Sequence, residues 1–213
     1  MMLLPKLAHA SGFCESSKRA MMRDSLLDLR RRAPLHFEAK ADNARFVAYL
    51  LGNALPSEVL EKAKATLPYG GTPSIATYEA FAREAAISLE LIIKAVIAQN
   101  IEVGTAPKHV VRVRPTHDIS KLWREAKLPP LSVDDQRLGL LVKRILVWSG
   151  RYAAPVDDES YEREEAELET LRGSASTRKL LFERALGFNW DSFDRLYQVA
   201  NVELWTVRQK YYG

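Results

Sequence analysis

Cysteine, histidine and long apolar runs are all scarce in this chain of 213 residues, and each scarcity excludes something. The single cysteine, Cys14, rules out an internal disulfide framework and suits a reducing compartment. No apolar stretch approaches the length that crosses a bilayer, so no membrane contact is expected. The first residues, MMLLPKLAHASGFC, place a proline and a histidine where an export signal needs an unbroken apolar core. A cytoplasmic protein is the expectation. Of the four histidines, His109 and His117 do not have a helical metal spacing, and no HExxH is present, so neither a metal nor another cofactor is expected. Ser88 and Ser149 lack a nucleophile signature such as GxSxG, and Gly70-Gly71 lacks the surroundings of a phosphate loop. Alternating strand patterns, internal repeats and low-complexity tracts are missing as well. The net charge of +4 permits contact with nucleic acid without arguing for it.

What is present is helical periodicity. The stretch from Tyr78 to Asn100 has neither proline nor glycine. Tyr78, Phe81, Ala82, Ala85, Leu89, Ile92 and Val96 recur at three- and four-residue steps, and Ile87, Leu91, Ala95 and Ala98 fill a second face. A helix apolar over most of its circumference is wrapped by others, so this one is expected at the centre of a bundle. Glu79, Arg83, Glu90 and Lys94 fall on one narrow polar stripe, with Glu90 and Lys94 in the favourable i,i+4 order.

The other elements follow from periodicity and stop signals. A basic helix is predicted over 18–33, ended by Arg30, Arg31 and Arg32 and stopped by Pro34. A helix over 38–54 buries Ala44, Val47, Ala48 and Leu51, and another runs from Ser57 to near Leu67. Ser74 or Thr77 caps the central helix. After Asn100 comes the least helical part, where Val103, Val110, Val111 and Val113 form a short extended segment or a packed loop. Thr116 or His117 caps a short helix, and Ser132 opens a stronger one carrying Leu138, Leu141, Val142, Ile145 and Leu146. The segment 157–169 holds eight carboxylates against Arg163, which reads as a solvated face. Helices over 176–187 and 191–211 complete the chain, the last burying Phe193, Leu196, Tyr197, Ala200, Leu204 and Val207. The expected organisation is an N-terminal extension over 1–34, then an all-α, up-and-down bundle over 35–213.

Three elements occur in order: AAISLELIIKAVI, HDISKLW and RYAAP. Together they resemble the HEPN (higher eukaryote and prokaryote nucleotide-binding) domain family. There a long helix with a Glu–Lys pair precedes a helix opening on His-Asp, and a later helix closes on Arg-Tyr-Pro. The resemblance covers residues 40–155 and departs at Ala153-Ala154, which separate Arg151-Tyr152 from Pro155. It implies a homodimer and RNA-linked work in defence or toxin–antitoxin systems, with RNA, a nucleotide or a protein as partner. It carries Glu90, Lys94, His117, Asp118, Arg151 and Tyr152 over as site residues.

Active members are similar in carrying an arginine four to six residues before a histidine on the last core helix. Histidine moves the 2′-OH proton near neutral pH and arginine stabilises charge on the phosphate, without a metal. Here the matching helix, 133–150, has no histidine. Arg112 and His117 have the spacing, as do Arg31 and His36, but Pro115 interrupts any helix between the first two. Arg112 and His117 are thus the candidate catalytic pair. Arg112, Arg114, His117 and Lys121 form a candidate phosphate-binding cluster, near Lys108, Arg124 and Lys127, with Trp123 as the one interleaved aromatic. The leading expectation is a non-catalytic binding module. A metal-independent endoribonuclease and a purely structural helical protein are the rivals.

Overall fold

The computed structural model describes residues 32–149 and 188–213, together with positions 30, 158, 159, 162, 163 and 166. Six helices make up these residues, with no strand among them. In chain order they are α1, Pro34–Tyr49; α2, Ser57–Thr66; α3, Pro73–Glu102; α4, Ile119–Glu125; α5, Val133–Arg144; and α6, Trp190–Tyr212. Helix α1 runs on into a π-helical turn over Leu50–Ala54, and α5 into another over Ile145–Ser149. Most of the expected helix over 18–33, the expected helix over 176–187, Arg151, Tyr152 and most of the acidic segment 157–169 lie outside the described residues.

Helix α3 is the centre. Leu89, Ile92, Ile93, Ala95, Val96 and Ile97 have no exposed surface, because α1 and α6 pack against it together with α4 and the turn after α5. It starts earlier than its periodicity suggests. Pro73 occupies its first turn, where a missing N–H costs nothing, and Thr72 holds the N-cap position. Ser74 and Thr77 are therefore inside the helix, and the Thr77 hydroxyl donates back to the Pro73 carbonyl at 3.0 Å instead of capping. Pro34 likewise starts α1, directly after the non-helical Ala33.

The α1–α3 contact is made of small side chains. Helix α1 buries Ala41, Ala44 and Ala48, while Val47, expected inside, is exposed. Small residues let two backbones approach closely. Ser88 on α3 shows how closely: its Oγ donates to the Ala41 carbonyl at 2.8 Å. Helix α6 runs antiparallel to α1 and is held to it by a ladder of polar pairs. Arg208 meets Glu38, the Tyr197 hydroxyl donates to Asp42 at 2.5 Å, and Arg45 meets Asp194 at 2.7 Å. Arg45 also stacks its guanidinium over the Tyr197 ring, 4.7 Å from the centroid. All six residues expected on the buried side of α6 are buried.

The segment between α3 and α4 is a loop and not a strand. Val110 is buried, Val113 is packed against the core and Val111 is exposed. Gly104, at φ +74°, makes the left-handed turn that ends α3. Buried Asn100 then ties the base of the loop down: its Nδ2 donates to the Ala126 carbonyl at 3.2 Å, and its Oδ1 accepts from the Thr105 hydroxyl at 2.9 Å. The loop therefore leaves α3 and returns to α4 across a fixed base.

Candidate functional site

The polar stripe of α3 is exposed at Glu79 and buried at Glu90 and Lys94. Glu90 is 6% exposed and Lys94 7% exposed, one turn apart, and their side chains are directly paired. A buried charge is tolerated only when paired and hydrogen-bonded, so the two belong together. The second carboxylate oxygen of Glu90 lies 2.7 Å from Nδ1 of His117. A carboxylate only accepts, so Nδ1 carries the proton in this bond. The His117 side chain remains 38% exposed. It borders a cavity of about 190 Å³ that Arg83, Glu90 and Ile145 also line.

His117 takes its place from the start of α4. Asp118, not Thr116 or His117, is the N-cap, and its Oδ1 accepts from the backbone N–H of Lys121 at 2.9 Å. Thr116 acts one step earlier, its hydroxyl accepting from the Asp118 N–H at 3.2 Å. Cap and preceding turn together leave His117 facing α3. Asp118 is thus occupied as a cap and shares its oxygen with a backbone donor.

A second cavity, of about 360 Å³, opens on the loop itself and is lined by His109, Arg112, Arg114, Pro115 and Thr116. Arg112 and His109 are exposed. Among the described residues neither has an ion-pair partner, and the ammonium groups of Lys108 and Lys121 have none either. Arg114 is different: its guanidinium forms an ion pair with Glu125, Nε lying 3.2 Å from Oε1. Lys127 is occupied too, donating to the Thr105 carbonyl at 2.6 Å.

Arg112 and His117 consequently line different cavities. The residue that shares a cavity with His117 is Arg83, one of the four residues on the α3 stripe. Its place was legible in the helical spacing, but the partner it would meet across the bundle was not. Glu125, which holds Arg114, had no signal in the spacing of charges. Trp123 is no stacking platform. It is 3% exposed, and its indole N–H donates to the Pro129 carbonyl at 2.6 Å. Among the described residues no group of three His, Cys, Asp or Glu side chains is placed to hold a metal ion, and no helix is long and apolar enough to cross a membrane.

Comparison of the chain with family models, with curated proteins and with solved structures finds no match.

Proposed function

We propose that the chain is a HEPN-like helical module that binds RNA without cutting it, through the cationic loop between α3 and α4. The observation that carries this is the set of uncommitted cations, Lys108, Arg112 and Lys121, with His109 beside them, on and beside a loop whose base is pinned by Asn100. Cations without carboxylate partners are free to displace counterions from a phosphate backbone, the main source of affinity for nucleic acid. Buried Trp123 leaves the contact without an aromatic platform at this point, so phosphates rather than bases are what the loop reads. Homodimer formation and a role in defence or toxin–antitoxin biology rest on the family resemblance alone.

The test is RNA binding followed by fluorescence anisotropy across a range of salt. The triple variant Lys108→Ala, Arg112→Ala, Lys121→Ala should weaken binding and reduce the slope of log affinity against log salt by about 2. An unchanged slope would place the contact elsewhere on the molecule.

A second reading, a metal-independent endoribonuclease, is favoured by one observation. Arg83 and His117 share the smaller cavity, and the Glu90 carboxylate orients the His117 ring. A carboxylate-oriented imidazole beside a guanidinium is a workable acid–base arrangement. The binding reading is preferred because the recognisable Arg112–His117 pair is split between two cavities.

A further inference from the structure

The loop cavity contains one arginine that is held and one that is not. Arg114 is fixed from behind. Glu125 is 6% exposed, and its Oε1 forms an ion pair with Arg114, 3.2 Å from Nε. The other oxygen, Oε2, is buried with no hydrogen-bond partner in the protein. Burying a carboxylate with a single ion-pair contact is unfavourable, and an apolar side chain at 125 would serve the core better. What the carboxylate does accomplish is to hold the Arg114 guanidinium by an ion pair at its Nε side. Beyond that ion pair the guanidinium makes no hydrogen bond to the protein among the described residues, and Arg114 lines the cavity with Arg112, His109 and the hydroxyl-bearing Thr116.

Two guanidinium groups, an imidazole and a hydroxyl around one concavity form a donor-rich anion site. At about 360 Å³ the cavity holds a small molecule or the end of a chain, within the range of compact ligand pockets. A phosphate monoester fits this donor set better than a diester does. It carries nearly two negative charges near neutral pH and three terminal oxygens, where a diester carries one charge and two. Arginine also meets phosphate oxygens with two parallel N–H bonds, and the ion pair with Glu125 keeps the Arg114 guanidinium at the cavity wall to make them.

We infer that the cavity formed by His109, Arg112, Arg114 and Thr116 is a phosphate-monoester site, with Glu125 as the residue that positions Arg114. The ligand class is a nucleotide's terminal phosphate, carried either by a free mononucleotide or by the 5′ end of an RNA strand. This deepens the RNA-binding reading, since both use the same loop.

The experiment measures affinity for one short single-stranded RNA bearing either a 5′-phosphate or a 5′-hydroxyl, and for a nucleoside 5′-monophosphate as competitor. The 5′-phosphate strand should bind about tenfold tighter. Arg114→Lys should reduce that ratio to near one. Glu125→Gln should reduce it as well, although Glu125 reaches no ligand, and its folding is checked by circular dichroism. Competition by the mononucleotide identifies a pocket for the free ligand, while its failure assigns the phosphate to the strand end. Equal affinity of the wild-type protein for the two strands overturns this inference and leaves RNA binding intact. Binding of the mononucleotide with no binding of either strand has the opposite consequence. A ratio that survives Arg114→Lys places the phosphate elsewhere and overturns the assignment to this cavity.

Discussion

The Glu90 carboxylate binds two partners from two elements: Lys94, one turn along the same helix, and the ring of His117, 27 positions away and 2.7 Å distant. One oxygen serves each partner. The arrangement locks the start of α4 onto the central helix, and the two contacts differ in burial. Lys94→Met should destabilise the protein by about 3 kcal/mol, because it strips a buried carboxylate of its cation. His117→Ala should cost about 1 kcal/mol, since the imidazole is well exposed. The double variant Glu90→Gln, Lys94→Met should recover part of the first loss. Urea denaturation followed by circular dichroism ranks the three. Equal losses for Lys94→Met and His117→Ala would contradict this division of labour.

Leu89 sits at the middle of α3 with no exposed surface, against both flanking layers. Leu89→Asp should unfold the chain outright, since an unpaired carboxylate there exceeds the whole stability of a typical domain once the lost packing is added. A cooperative thermal transition in that variant, near the wild-type midpoint, would mean that α3 is not the centre of the bundle.

Helix α6 is tied to the start of α5 by Asp135 and Arg195, 2.5 Å apart. The Arg195 guanidinium holds the Asp135 carboxyl below the ordinary aspartate range, against the opposing effect of burial, with Ser132 assisting. A carboxyl whose folded pKa is depressed stabilises the protein above its unfolded value, near 4, and loses that contribution as pH falls through the folded value. Asp135→Asn should therefore be less stable than wild type at pH 7. The gap should close as the pH is lowered from about 4 towards 2. Because Arg195 is largely exposed, the gap at pH 7 should stay within about 1 kcal/mol. A gap that is constant across this range would show that packing and not charge accounts for the difference.

Much of the bundle was legible in the sequence because helical periodicity is a local signal. The six buried residues of α6 and the Ser132 cap of α5 follow from it directly. Helix α1 shows where the signal misleads. Hydrophobicity favours Val47 as a core residue, but the close approach marked by the Ser88 bond to Ala41 selects alanines and leaves Val47 outside. Prolines 34 and 73 mislead in another way, since the same residue that stops one helix is well suited to start the next. In the site, the Glu90–Lys94 pair could be read from i,i+4 spacing. The contact of Glu90 with His117 could not, because it is made across an aperiodic loop whose path depends on Gly104 and Asn100. The separation of Arg112 from His117 depends on the same path.

The most direct test incubates purified protein with labelled single-stranded and structured RNA, EDTA present, and follows complex formation and strand length together. Wild type is compared with Arg83→Ala, Arg112→Ala and His117→Ala. The account predicts that wild type shifts the RNA without shortening it, that Arg112→Ala weakens the shift, and that all four proteins leave the strand intact to the same degree. Strand cleavage by wild type that Arg83→Ala and His117→Ala both abolish, while each remains folded, would contradict it and make the smaller cavity an active site.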